Sequence, residues 1–150
     1  MTLVKVQRVF IGTEAVAAGE ITKYQLRAHY RRIFPDVYTS AKNTAQLSVG
    51  DRAAAAVLWS RRRAVVTGLA ASALHGAKWV DASAPIELNY SNNKAPSGII
   101  SRAETLLDDE VRRRHGLPVT TLHRTAFDLA RRGTVSRQWP ESMRSRTPPV

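Results

Sequence analysis

The residues in this chain best suited to chemistry are its cations. Lys23, Arg27 and Arg31 recur at every fourth position, Arg32 follows, and Tyr24 and Gln25 lie among them. On a helix this spacing stacks the cations into one basic stripe, beside an apolar stripe of Leu26, Tyr30 and Ile33. Cations in such a row contact phosphates, while Gln and Arg side chains read base edges. Gln25 and Arg27 are therefore the candidates for base contacts, and Lys23, Arg31 and Arg32 those for phosphate contacts, with Tyr24 between them. Gln25 has a competing task, because Thr22-Lys-Tyr-Gln25 matches a helix capping box. The bland alternative for the whole stripe is a solvated helix face.

Catalytic constellations are not apparent. The chain has no cysteine, which excludes disulfides and thiolate metal sites. Its four histidines, His29, His75, His115 and His123, lack metal-ligand spacing. The densest acidic group, Asp108-Asp109-Glu110, has neither a partner His nor a second carboxylate motif and reads as a solvated turn. Gly68 to Gly76 lacks the spacing and the Lys-Ser/Thr ending of a phosphate loop. The expectation is a protein that is not an enzyme and uses no cofactor or metal.

Charge sets the partner class. There are 23 Lys and Arg against 12 Asp and Glu in 150 residues, a net +11 and an isoelectric point near 11.0. Such a balance favours an anionic polymer, nucleic acid ahead of an anionic membrane. A GC-rich genome is the competing source of Arg and Ala. No window approaches the ~20 apolar residues of a membrane span. Lys5 and Arg8 interrupt the apolar run at the N-terminus, so it does not read as a signal peptide. A cytoplasmic location is expected.

The elements that must position the cations follow from periodicity and caps. Residues 1–12 read as a strand or a helix, undecided between the two. Thr13 is a candidate N-cap for a helix ending before Gly19. A second helix is expected from Lys23 to about Arg32, stopped by Pro35, and Val37-Tyr38-Thr39 reads as a strand or wing. Residues 41–47 read as a loop. Ser48 and Asp51 then fit a second cap, for a helix through Trp59. Arg61-Arg62-Arg63 at its end either complements the helix dipole or meets phosphate.

Ala64 to Trp79 carries no charge until Lys78 and must be interior. A strand over Ala64–Thr67 runs into a helix over Leu69–Leu74, with Gly76 as its stop. His75 is expected to be a hydrogen-bonded core histidine and Trp79 a core plug. Strands are expected over Pro85–Tyr90, half-buried by its alternation, and over Gly98–Ser101, both pairing with the central strand. A hairpin is expected over 111–120 with its turn at His115-Gly116. Thr121 caps a last helix to about Arg132, with Ala126, Phe127, Leu129 and Ala130 as its apolar side. Arg124 and Asp128, four apart, pair in a structural role that fixes this helix against the hairpin. Residues 134–150 lack periodicity and read as a disordered tail.

Two long stretches carry a resemblance. Phe10-Ile-Gly-Thr-Glu-Ala, then Gly19-Glu-Ile-Thr-Lys-Tyr-Gln-Leu-Arg27 and Tyr30-Arg-Arg-Ile-Phe-Pro-Asp-Val-Tyr38, resemble the N-terminal region of AbiEi-like proteins. These include the antitoxins of type IV toxin–antitoxin systems. Val65 to Trp79 and Gly116-Leu-Pro-Val-Thr through Leu129 resemble the same proteins further along. The resemblance implies an α+β fold: a winged helix-turn-helix-like DNA-binding head (1–47), then an α/β region (48–133). It implies a transcriptional regulator that binds double-stranded DNA, with a nucleotidyltransferase-like toxin as a further partner and no membrane role. The alternative is a toxin-neutralising interaction module, or a non-functional remnant of a nuclease-like parent. Relatives commonly continue into a nuclease-like domain, whose acidic and Lys pattern is not found after Asp128, so a truncated form is expected. Asp36 stands where these proteins usually have Gly, which puts a negative charge at the wing.

Purified protein is expected to leave DNA uncut with magnesium or manganese present. Cleavage that disappears in Asp108→Ala or Asp109→Ala would overturn the non-enzymatic reading.

Overall fold

A computed structural model gives the fold and describes residues 8–42, 47–92 and 94–132. The tail expected over 134–150, most of the opening segment before Arg8 and the middle of the loop over 41–47 lie outside the described residues. The class is α+β, with five α-helices and two sheets among the described residues. None of these helices is long and apolar enough to cross a membrane.

The first sheet contains β1 (Val9–Ile11), β2 (Tyr30–Phe34) and β3 (Val37–Ser40) in the order β1-β3-β2, with both pairings antiparallel. Two short helices, α1 (Gly12–Ala17) and α2 (Lys23–His29), connect β1 to β2. The undecided opening segment is a strand over Val9–Ile11. Thr13 is not an N-cap. α1 starts at Gly12, two residues earlier than a Thr13 cap would place it, with Ile11 at the N-cap and no side-chain cap, and the Thr13 hydroxyl donates to Asp36 Oδ2 at 2.6 Å. The α2 cap is the expected one, with Gln25 N–H donating to Thr22 Oγ1 at 3.0 Å and Thr22 N–H donating to Gln25 Oε1 at 2.9 Å.

The length of α2 was misread. It ends at His29, and Tyr30 is extended at φ −128° and ψ 156°. Tyr-Arg-Arg-Ile-Phe is aromatic and β-branched enough to form a strand once a partner is available. The partner is β3, brought back by the tight turn at Pro35-Asp36. Proline in the second turn position and a residue at φ 63° in the third is the pattern of a type II turn. Pro35 thus makes a hairpin and does not stop a helix.

α3 (Val49–Trp59) carries the second expected cap, with Asp51 N–H donating to Ser48 Oγ at 3.0 Å and Ser48 N–H to Asp51 Oδ2 at 3.1 Å. None of its residues is exposed. Ala53, Ala55, Ala56 and Val57 are buried, and the helix contacts β1, β2 and β3 as well as β4 and β5 of the second sheet. A helix enclosed in this way needs small side chains, because interiors pack at crystal-like density.

The second sheet contains β4 (Val65–Thr67), β5 (Ile86–Asn89), β6 (Ile99–Arg102), β7 (Val111–Arg114) and β8 (Leu117–Thr120), in the order β6-β5-β4-β8-β7. The uncharged central stretch does supply the middle strand. β5 and β6 share the sheet with β4, as expected, but β6 pairs with β5 only. The other edge of β4 is taken by β8, in parallel. The hairpin over 111–120 is present with His115-Gly116 at its turn. α4 (Gly68–Leu74) follows β4, α5 (Leu122–Arg131) follows β8, and the two helices pack on each other.

Two burial expectations are corrected. Glu87 does not face solvent from a half-buried strand but is 8% exposed. Gly68 makes room for it: at φ 63°, a Cβ there would lie 2.5 Å from the Glu87 carboxylate. On α5, Phe127 points outward at 37% exposure. The inner side holds Thr125, Ala126, Asp128 and Leu129, because the polar pair Arg124–Asp128 turns inward onto acidic and basic partners. Trp79 is half-buried against the small cluster of Ala126 and Leu129. The main cluster joins Val9, Phe34 and Val37 to the α3 alanines and to Val66, Leu88 and Val119, so both sheets share one core.

Ala56→Leu is expected to destabilise the fold by about 1–3 kcal/mol through overpacking. Urea unfolding followed by circular dichroism measures it. A stability equal to the parent chain would show that the sheets do not close tightly on α3.

Candidate nucleic-acid interface

Lys23, Tyr24, Gln25 and Arg27 lie on α2, whereas Arg31 and Arg32 lie on β2. The predicted single stripe therefore does not exist. Lys23 and Arg27 remain four apart on the helix, and the next two arginines leave from a strand whose successive side chains point to opposite faces. The six still fall on one contiguous segment, and all six are exposed, Tyr24 at 75%. β2 is an edge strand, and α2 has no buried residue. From Ile21 to Pro35 there is no Asp or Glu. None of the four cations in this segment has a carboxylate partner among the described residues. Behind them, Phe10 packs edge-on to Tyr30 at 5.1 Å and stacks with Tyr38 at 6.3 Å, which braces β2. Gln25 spends its carbonyl oxygen on the cap and keeps its amide NH2 for other partners.

The negative charge of Asp36 is turned away from this surface. Its carboxylate accepts from Thr13 N–H at 3.1 Å, from the Thr13 hydroxyl and from Arg61 Nη2 at 3.1 Å. Arg62 makes a bidentate pair with Glu14, both bonds at 2.9 Å. The Arg62 hydrogen bond holds the Glu14 carboxyl below its ordinary value, against a smaller opposing effect of burial. Arg61 and Arg62 have φ of 59° and 67°, a left-handed conformation that costs about 1–2 kcal/mol per residue without glycine. Buried Ser60 organises the same turn, donating to Val57 O at 2.7 Å and accepting from Ala64 N–H at 3.0 Å. Two of the three consecutive arginines are thus ion-paired, Arg62 to α1 and Arg61 to the β2–β3 turn.

Arg124 and Asp128 form the expected pair, Nε to Oδ1 at 3.0 Å. The pair belongs to a larger network. Arg124 also reaches Glu110 at 3.0 Å and Glu104 at 3.3 Å, which ties α5 to the foot of the β7–β8 hairpin. Arg131 joins Asp128 at 2.8 Å and Glu104 at 3.0 Å, and Arg132 joins Glu104 at 2.9 Å. The Asp128–Arg131 spacing was available in the sequence as an i,i+3 pair. Glu104 carried no signal, because it lies in an irregular segment brought in by the sheet. Buried Glu87 pairs with Arg102 beside this network.

His75 is hydrogen-bonded and partly buried, as expected. Arg114 Nε donates to His75 Nδ1 at 3.4 Å, which leaves Nε2–H to donate to Thr120 O at 2.7 Å. Asp108–Glu110 form a 3-10 turn, and Glu110 is engaged by Arg124. Among the described residues no group of three His, Asp or Glu is arranged to hold a metal ion.

No protein-family model matches this chain, and no curated protein matches it significantly.

Burial pushes the Glu104 carboxyl up, but hydrogen bonds from Arg132 and Arg131 together outweigh it and hold it below 4.5. A depressed carboxyl binds fewer protons in the folded state. Its contribution is complete above the unfolded value and is lost as pH falls through the folded one. The urea midpoint should therefore drop on acidification below about pH 4.5. Glu104→Gln should lower stability at neutral pH by about 1–3 kcal/mol and flatten that acid limb. An acid limb unchanged in the variant would place the pH dependence elsewhere.

Proposed function

We propose that this chain is a cytoplasmic, non-catalytic DNA-binding regulator of the AbiEi antitoxin type, with α2 and β2 as its DNA-contacting surface. The observation that carries the reading is the segregation of charge. Lys23, Arg27, Arg31 and Arg32 are exposed on a segment free of acids; of the nearby carboxylates, Glu14 and Asp36 are paired with Arg62 and Arg61, and Glu20 stands exposed just before the segment. Cations left uncompensated on one surface give the field that attracts a phosphate backbone.

The element order supports a winged helix-turn-helix reading of the head. A strand, two short helices and a two-stranded hairpin form a sheet in the order β1-β3-β2, with the second helix exposed. On this reading α2 is the recognition helix. Arg27 reads base edges, and Lys23, Arg31 and Arg32 hold phosphates from two different elements. Gln25 contributes only through its amide NH2, and Tyr24 offers an exposed ring for sugar or base contact. The hairpin tip is short and held by Thr13 and Arg61, so it is a brace and not a free wing. The resemblance adds a nucleotidyltransferase-like toxin as a second partner, tested by co-purification with the product of the adjacent reading frame.

Arg27→Ala combined with Arg31→Ala should abolish retardation of DNA from upstream of the chain's own gene in a gel shift. Arg31→Ala alone should make the slope of log K against log salt shallower by about 1, the loss of one phosphate contact. Wild-type binding by the double variant would overturn the assignment of α2 and β2.

A further inference from the structure

The net +11 is not spread evenly over the molecule. Among the described residues seven arginines, Arg102 and Arg124 among them, are matched to carboxylates. Among the same residues the cations without an ion pair concentrate in two places, with the remainder scattered singly. One place is the α2–β2 segment. The other is β7, where Arg112, Arg113 and Arg114 run into His115 at the hairpin turn, all exposed.

These arginines are positioned but not neutralised. Arg113 Nη2 donates to Gly116 O at 2.7 Å, Arg112 Nη1 to Val111 O at 3.2 Å, and Arg114 Nε to His75 Nδ1 at 3.4 Å. Asp108 and Asp109 lie at the foot of the hairpin, where Arg112 Nη1 also donates to the Asp109 backbone carbonyl at 3.4 Å, and neither carboxylate forms an ion pair with the three. The turn itself is tight, with His115 at φ 53° and Gly116 at φ 78° closing a two-residue loop. β7 is an edge strand, and charge on an edge discourages sheet extension. One or two charges suffice for that. Three in succession place cations on both faces of the strand, Arg113 opposite to Arg112 and Arg114.

A cleft of about 950 Å³ relates this hairpin to the head. Tyr30 and Ser40 border it from the first sheet, and Arg113 and Leu117 border it from the hairpin. Tyr30 is the residue where α2 passes into β2. Of the cations on the two surfaces only Arg113 lines this cleft, Tyr30 stands next to Arg31 at its other side, and Glu14 and Glu20 lie in its wall. Duplex DNA presents a phosphate about every 1.7 Å along its axis, so a duplex spanning the cleft mouth would reach from the Tyr30 edge to Arg113.

We propose that the β7–β8 hairpin is a second DNA-contacting element, in which Arg112 and Arg113 hold phosphates of the duplex bound by α2 and β2. The proposal rests on the reading of this chain as a DNA-binding protein. Phosphate contacts add affinity and salt dependence but carry no base preference. The hairpin therefore strengthens binding to any sequence, and discrimination remains with α2.

Fluorescence anisotropy of the full chain tests this. Two labelled duplexes are used, one from upstream of its own gene and one scrambled, each across a salt series. Arg112→Gln with Arg113→Gln should weaken binding to both duplexes by the same factor, about tenfold, with a salt slope shallower by about 2. The preference for the upstream duplex should not change. Arg114 is left in place because it anchors His75. Wild-type affinity and slope in this variant overturn the proposal, and the reading of the head survives if Arg27→Ala with Arg31→Ala still loses binding. Loss in the hairpin variant alone supports the hairpin and overturns the head. Loss in neither overturns both.

A melting temperature equal to that of the parent chain separates lost contact from lost fold. If the variant melts early, phenylglyoxal labelling of the unmodified chain decides instead. Arg112 and Arg113 should be protected by the duplex, and full labelling in its presence overturns the proposal. A dimer that becomes a monomer in the hairpin variant, with the salt slope unchanged, would assign the β7 edge to a second copy of the chain and likewise overturn it.

Discussion

α3 touches every strand of the first sheet and the middle strands β4 and β5 of the second, and the rest of the fold depends on how closely it does so. The alanines at 53, 55 and 56 are fully buried, and they let two sheets share one continuous core. Without that approach the first sheet would have little to pack on. Its strands are three to five residues long, and α2 contributes no buried side chain. Small sheets of this kind are marginal alone and gain stability from a helix packed across them. The exposed α2–β2 surface is thus carried by a head whose own burial is supplied largely from outside it.

The turn after α3 carries a second constraint. Two consecutive non-glycine residues in the left-handed region are unfavourable, and here they place Arg61 and Arg62 against Asp36 and Glu14. Individually such exposed pairs contribute little. Their effect is on distribution. They withdraw two carboxylates from the head's field and leave Lys23, Arg27, Arg31 and Arg32 without an ion-pair partner. Asp36, the one residue that departs from the resembled pattern at the hairpin, is thereby made part of a junction.

The same logic holds at α5. Glu104 gathers three arginines, and Asp128 gathers two, so five carboxylate–arginine contacts are concentrated in one partly buried cluster. Breaking one member of such a cluster leaves the others imperfectly matched, which is why it holds α5 to the hairpin foot. Net charge alone describes none of this. The strongly basic composition becomes a directed field only because the fold pairs some cations and leaves others free.

By itself the sequence determined the local elements whose signals are short-range. Both capping boxes, the turn at His115-Gly116, the uncharged central strand and the Arg124–Asp128 pair were legible, because each depends on residues within a few positions of one another. The α+β class was what the resemblance implied, and the five helices and two sheets among the described residues agree with it. What only the tertiary structure decided were matters of partner. Tyr30–Phe34 is a strand because β3 returns to it, although its spacing with Lys23 and Arg27 fits a helix equally well. Glu87 is buried because Gly68 leaves space above it and Arg102 arrives from the neighbouring strand. β8, not β6, lies beside β4, and Glu104 becomes the hub of a network from a segment without periodicity. The six candidate contact residues are all exposed. Their division between a helix and an edge strand, which sets the directions their charges face, was invisible in one dimension because a four-residue period carries no information about the strand that will pair with it.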